Sequence, residues 1–147
     1  MPSLQLSHPA EAATTLEEAW RRLQKAATWE AIPGVDRVFE AHHDPEGNLL
    51  GFGFEATAGG TRYQGTAMVR AAHNPNLMKL DVDASEVKGW IRTELSEITN
   101  NRIAIVVTLM LEATGFLSTL FFNVLQSTVQ KGLPQSVEEF AARLSEG

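Results

Sequence analysis

Gly115-Phe116-Leu117-Ser118-Thr119-Leu120-Phe121-Phe122-Asn123-Val124-Leu125-Gln126-Ser127-Thr128-Val129-Gln130-Lys131 carries a helical period. Phe116, Leu117, Leu120, Phe121, Val124, Leu125 and Thr128 recur at spacings of one, three and four, which gathers them on one broad helix face. Such a face needs a wall to lie on. Upstream, from Val35 to Ala113, apolar and polar residues alternate at the two-residue period of strands. A sheet with one apolar face buries it against a helix. The expected class is therefore α+β: a curved antiparallel sheet of six to seven strands wrapped around a long C-terminal helix.

With 147 residues, 44% hydrophobic and 20% charged, the chain has the composition of one globular domain spanning residues 1–147. Its 18 acidic and 12 basic residues give a net charge of −6, and no run of Lys or Arg offers the footprint of a nucleic-acid binder. Cysteine is absent, which excludes disulfides, thiolate metal sites and a cysteine nucleophile. Residues 1–13 lack the basic and apolar regions of a secretory signal, so a cytoplasmic location is the default expectation. Between Ile103 and Val129 the only charge is Glu112. A membrane span needs ~20 apolar residues, but Thr114-Gly115 divide this run into a strand-like half and a helical half, each too short, and no transmembrane segment is expected.

Leu4 and Leu6 alternate with Ser3, Gln5 and Ser7 as a short first strand. Thr15 and Glu18 form a capping box ahead of Leu16, Ala19, Trp20, Leu23 and Ala26 at helical spacing, and Thr28 to Ile32 add a further turn before Pro33-Gly34. Strands follow over Val35–His43, Asn48–Thr57, Thr61–His73, Leu77–Ser85, Trp90–Thr99 and Arg102–Ala113. Turns are expected at Asp44-Pro45-Glu46-Gly47, Ala58-Gly59-Gly60, Asn74-Pro75-Asn76, Lys88-Gly89 and Asn100-Asn101, the asparagines tolerating positive φ. Gly132-Leu133-Pro134 interrupts the last helix, and Ser136 with Glu139 makes a second capping box, so a kink near Gly132-Pro134 or two helices in tandem is expected.

This order of a strand, one or two short helices, a six-strand meander and a long helix resembles the helix-grip fold of the START-like (SRPBCC) superfamily. Trp20, Leu23, Trp29, Ile32, Pro33, Gly34 and Val35 are similar to a segment of its bacterial members. These include the polyketide cyclase/dehydrase and lipid-transport group and proteins like the G component of carbon monoxide dehydrogenase. Tyr63-Gln64-Gly65-Thr66-Ala67 and Phe140 to Leu144 are similar to two further segments. The resemblance implies a hydrophobic cavity between sheet and final helix, used for lipids, quinones or polyketides. It brings no shared catalytic motif, no cofactor and no metal.

The inward registers nominate the cavity lining. They are Phe52 and Phe54 on one strand, Tyr63, Gly65 and Ala67 on the next, then Leu80 and Val82, then Ile91, Thr93 and Leu95, and Val107 on the last. Leu117, Leu120, Phe121 and Val124 come from the helix. Gly65, Ala67, Ala71, Ala84, Ala41 and Ala56 are small residues opposite large helical ones, which leaves space. A void of ~300 Å³ at ~24 cal/mol per Å³ would cost on the order of 7 kcal/mol, so it must be filled by collapse or by a guest. Tyr63, the single tyrosine, stands beside Gly65 as a potential ligand partner or a rim residue; Thr93, Arg37 and His43 share inward registers, the last two better suited to solvent. His42 and His43 point to opposite faces of a strand and cannot chelate one ion together, so no metal site is expected from Glu40, His42, His43 and Asp44. Trp20 and Trp29 could line the entrance of the cavity but suit the core better, and Trp90 suits a partner surface.

The expected function is binding or transport of an apolar small molecule without a cofactor. A cyclase or aromatase-type enzyme would use the same cavity with Tyr63, Thr93 or His43 as acid or base. A protein-interaction module would instead have a filled core and an exposed patch around Trp90. A homodimer is left open.

Overall fold

Period-two alternation is realised in seven strands, β1 (Ser3–Ala12), β2 (Val35–His43), β3 (Leu49–Ala58), β4 (Thr61–His73), β5 (Leu77–Ala84), β6 (Val87–Thr99) and β7 (Arg102–Ala113). They form one antiparallel sheet in the order β1-β7-β6-β5-β4-β3-β2, a meander with the first strand returned beside the last. Helix α1 (Leu16–Leu23) and a 3₁₀ helix (Ala26–Ala31) join β1 to β2, and α2 (Phe122–Ser145) follows β7. The computed structural model describes residues 2–32, 34–58, 60–115, 119 and 122–145. Phe116, Leu117, Leu120 and Phe121, expected on the helix face, lie outside the described residues, as do Pro33 and Gly59 of the expected turns.

The inward rows of the sheet run straight across the strands. Leu80, Ile91 and Leu109 make one row, and Met78, Thr93 and Val107 the next. On this face α2 packs against β1 above all, and its C-terminal half also meets α1 and the 3₁₀ helix. Thr15 caps α1 by accepting from the Glu18 amide at 3.1 Å, but the reciprocal half of the capping box is replaced, because the Glu18 carboxylate binds Arg21 and Arg22 instead. Gln24 fastens the end of α1 to the β2–β3 hairpin: its side-chain oxygen accepts from the Leu49 amide at 2.9 Å and its carbonyl lies 2.8 Å from His43 Nε2. Trp29 donates its indole N–H to the Leu23 carbonyl at 3.0 Å and packs its ring 5.2 Å from that of Phe140 on α2.

Several expectations change for physical reasons. The short first strand extends through Pro9 to Ala12; a proline is accommodated because β1 is an edge strand and pairs only with β7. Strand β6 begins at Val87, not Trp90: the turn is Ser85-Glu86, with Glu86 at φ 64°, and Gly89 sits within the strand. A Cβ on Gly89 would collide with the Met110 carbonyl, so the glycine permits close contact with β7 and marks no turn. Asn100-Asn101 does connect β6 to β7, yet neither residue takes positive φ, and a register irregularity between Glu97 and Thr99 precedes the turn.

Two registers also move. Bulges in β2 between Val35 and Arg37, and between Phe39 and His42, shift the faces of that strand. Arg37 consequently lies exposed against Glu55 at 3.0 Å and stacks 4.6 Å from the Phe39 ring, while Val38 joins the core. At the start of β3, Leu49 is buried at 2% exposure and Leu50 is 45% exposed, the reverse of the expected alternation, beside a further register shift at His42/His43.

Helix α2 is continuous through Pro134, and Ser136-Glu139 lies within it, not at a second start. Pro134 and Gln130, whose carbonyl loses its usual donor, are both exposed, so the missing bond is open to solvent. One continuous helix buries one stripe, here Phe122, Leu125, Val129, Leu133, Val137, Phe140, Ala141 and Leu144. That stripe fixes a phase in which Val124 faces outward at 45% exposure and Thr128 is half-buried.

Thr93 is fully buried and its hydroxyl has no hydrogen-bond partner. Replacing Thr93 by the equally shaped Val removes that unsatisfied group and is expected to raise stability by about 1 kcal/mol, read as a higher urea midpoint at unchanged m-value. Gly89→Ala is expected to cost about 2 kcal/mol or more in the same measurement, because β6 and β7 must part at Met110.

Candidate functional site: an apolar cavity under the C-terminal helix

A cavity of about 90 Å³ lies between the sheet and α2. Its walls are Phe52, Phe54 and Ala56 of β3, Tyr63 and Ala67 of β4, Leu80, Val82 and Ala84 of β5, Val87 and Ile91 of β6, and Leu109 and Leu111 of β7. Leu125 and Val129 of α2 roof it, and Trp29 with Ile32, Gly34 and Val35 closes the side toward β2. The space exists because the wall residues of β4 and the outer end of β5, Ala67 and Ala84, are short where the facing α2 stripe cannot reach further. Trp29, at 1% exposure, serves as both core and cavity wall. The half-buried and exposed lining residues, Ile32, Gly34, Val35, Ala56, Thr57, Val82 and Ala84, all lie at the end of the sheet formed by the β3–β4 and β5–β6 turns. That end is the mouth.

Nearly all of the lining is apolar, and the polar side chains on it are Tyr63 and Thr57. Tyr63 is buried, and its phenol is pushed above the usual tyrosine range by burial first and by the negative charge of Glu86 second. At neutral pH it is a protonated hydroxyl, able to donate and to accept. Thr57 donates its hydroxyl proton to Asp36 at 2.6 Å. Glu86 sits at the β5–β6 turn, its carbonyl accepting from the amides of Thr114 at 2.7 Å and Gly115 at 3.3 Å. Its side chain fills the space where a Cβ on Gly115 would stand.

Of the nominated lining, Phe52, Phe54, Tyr63, Ala67, Leu80, Val82 and Ile91 come together around this space. Thr93 and Val107 lie one row away, and Leu95 with its partner Ile105 a row further, in the solid core beyond the cavity floor. Gly65 shares the Tyr63 face, but any side chain there would strike Asp83 and Ala84, so it serves the β4–β5 contact. Val124 points away from the cavity, and Leu117, Leu120 and Phe121 lie outside the described residues. The lining also holds Trp29, for which core is the preferred reading of the sequence, and residues that the sequence pattern does not nominate: Val87, which falls in the expected turn region, and Ile32, Gly34 and Val35. Leu109, Leu111, Leu125, Ala56 and Ala84 stand on inward registers, and that signal suffices to include them.

Elsewhere, no group of three or more His, Asp or Glu among the described residues is arranged to hold a metal ion, and His43 is exposed at the far end of the sheet. Trp90 lies on the outer sheet face between Lys79 Nζ at 4.8 Å and the Arg92 guanidinium at 5.3 Å, partly covered by two cations. No helix among the described residues is long and apolar enough to cross a membrane.

No family model and no curated protein matches the sequence. Solved structures do match its shape. TTHA0849 from Thermus thermophilus is 12% identical, with 96% of this chain and 97% of that chain covered at a TM-score of 0.74. The Zhui aromatase/cyclase from Streptomyces sp. R1128 is 15% identical, with 97% and 92% covered at 0.72. A START superfamily protein from Mycobacterium smegmatis is 12% identical, with 91% and 94% covered at 0.70. At such identities the likeness is one of architecture, and on that ground the chain has the helix-grip fold of START-like (SRPBCC) proteins.

Proposed function

We propose that the chain acts as one domain that binds an apolar small molecule in the cavity beneath α2. The observation that carries this reading is an almost wholly apolar space of about 90 Å³ with a mouth at one end of the sheet. Left empty, a void of that volume costs about 2 kcal/mol at ~24 cal/mol per Å³, and an apolar guest recovers it. The volume is small beside the ~300 Å³ and upward of pockets for drug-sized ligands, which favours a guest of one ring or a short chain. The START superfamily protein and the aromatase/cyclase among the structural relatives agree with a ligand-binding use of the fold.

An enzymatic reading of the aromatase/cyclase kind has one specific support, the Tyr63 hydroxyl on the cavity wall, whose raised pKa suits a proton donor and not a base. No other titratable side chain lines the cavity among the described residues. Binding without chemistry is therefore the simpler account.

Ala67→Met is expected to fill the space from the β4 wall, raising thermal stability in the absence of ligand and abolishing the thermal shift produced by apolar compounds. Native mass spectrometry of the unmodified protein from its own host should reveal a bound apolar molecule that the variant lacks; an empty, unresponsive protein would refute the proposal. Because Tyr63 is the only tyrosine, an ultraviolet titration reports it alone, and its ionisation should fall above pH 10. The sign follows from the raised value: the unfolded chain loses its phenol proton first, so stability is intact below pH 10 and declines as pH rises toward the folded pKa.

A further inference from the structure

We infer that the cavity accepts apolar molecules with neutral or cationic polar heads and rejects those headed by a carboxylate. The inference rests on the ligand-binding reading above and specifies its substrate class.

An anion drawn into an apolar space needs a countercharge or several hydrogen-bond donors at its head. No Lys or Arg lines the cavity among the described residues, and the sequence from Ile103 to Gln130 contains none to supply. Arg62 stands on the outward register beside Tyr63, exposed to solvent, and Arg37 is paired with Glu55. Among the described residues, several donors around the mouth are already committed. The Thr57 hydroxyl donates to Asp36, the Thr57 amide to the Gly34 carbonyl, and the Val35 amide to the Ile32 carbonyl. The amides of Thr114 and Gly115 both donate to the Glu86 carbonyl.

The entry to α2 would otherwise suit an anion, since helix N-termini carry partial positive charge. Thr119 donates its amide to the Gly115 carbonyl at 3.1 Å, and the Glu86 side chain lies directly against Gly115. A carboxylate of the protein itself thus stands beside Gly115. Tyr63 remains as a donor to the guest, and it faces a mouth flanked by Glu86 and Asp36. A neutral hydroxyl or carbonyl is served by one phenol. A carboxylate meets like charge, and in an effective dielectric of about 20 such repulsion is worth on the order of tenfold in affinity.

The test uses the full chain with benzyl alcohol, benzylammonium and benzoate at neutral pH, followed by amide NMR shifts of cavity residues. The expected result is saturable binding of the alcohol and the ammonium, with benzoate at least about tenfold weaker. Glu86→Gln should narrow that ratio several-fold. Benzoate binding as tightly as the alcohol would overturn the charge selection while leaving cavity binding intact. Failure of all three to produce saturable shifts at the cavity would overturn the binding proposal and this inference together.

Discussion

Trp29 is the contact on which the arrangement depends. Its indole N–H is held by the Leu23 carbonyl and its ring by Phe140, so a single side chain joins α1, the 3₁₀ helix and the far half of α2. Arg143 reinforces that joint by donating to the Ala27 carbonyl at 2.7 Å, while Arg22 reaches back to the Arg143 carbonyl. With this half of α2 pinned between β1 and the short helices, the other half is held over the sheet as a roof that the wall residues do not fill. The cavity follows from where the helix is fastened. A helix free to settle would sink toward Ala67 and Ala84 and close the space.

The two halves of the interior differ accordingly. Around Thr93, Val107, Leu95 and Ile105 the core is solid, to the point of enclosing a hydroxyl without a partner. Around Tyr63 and Ala67 it is loose, and the polar groups there are gathered at the rim. Glu86 holds positive φ at that rim, in a conformation that is costly for a side chain larger than glycine. Its carbonyl bonds to Thr114 and Gly115, and the packing of its side chain on Gly115, offset that cost where β7 hands over to the final helix.

The architecture was legible because two periods, two residues and three to four, run uninterrupted over long stretches. Alternation alone places Leu80, Ile91 and Leu109 correctly. Phase is harder to read. A break read at Gly132-Pro134 separates Leu125 and Val129 from Leu133, Val137, Phe140 and Leu144, which together set the side of α2 that is buried, and so lets Val124 be read as inward. In β2 the bulges move Arg37 to the outer face, and nothing in a local alternation announces a bulge. Gly89 reads as a turn because glycine is ambiguous between a reversal and a close approach, and only the position of Met110 decides. Trp29 reads as either cavity entrance or core, with core preferred, because periodicity tells that a side chain is buried and not whether its neighbour is protein or space; the structure makes it both.

Both outer borders of the sheet are defective as templates. On β1 the Pro2 carbonyl accepts from the Ala113 amide, so alternate residues from there bond to β7, and Pro9 falls in the set whose backbone faces away. It has no amide hydrogen to offer a strand arriving from another molecule. On β2, at the opposite border, the bulges and the left-handed Glu40 break the repeat that an added strand would have to match. A large open sheet rich in Val, Ile and Leu thereby offers poor edges for stacking into fibrils.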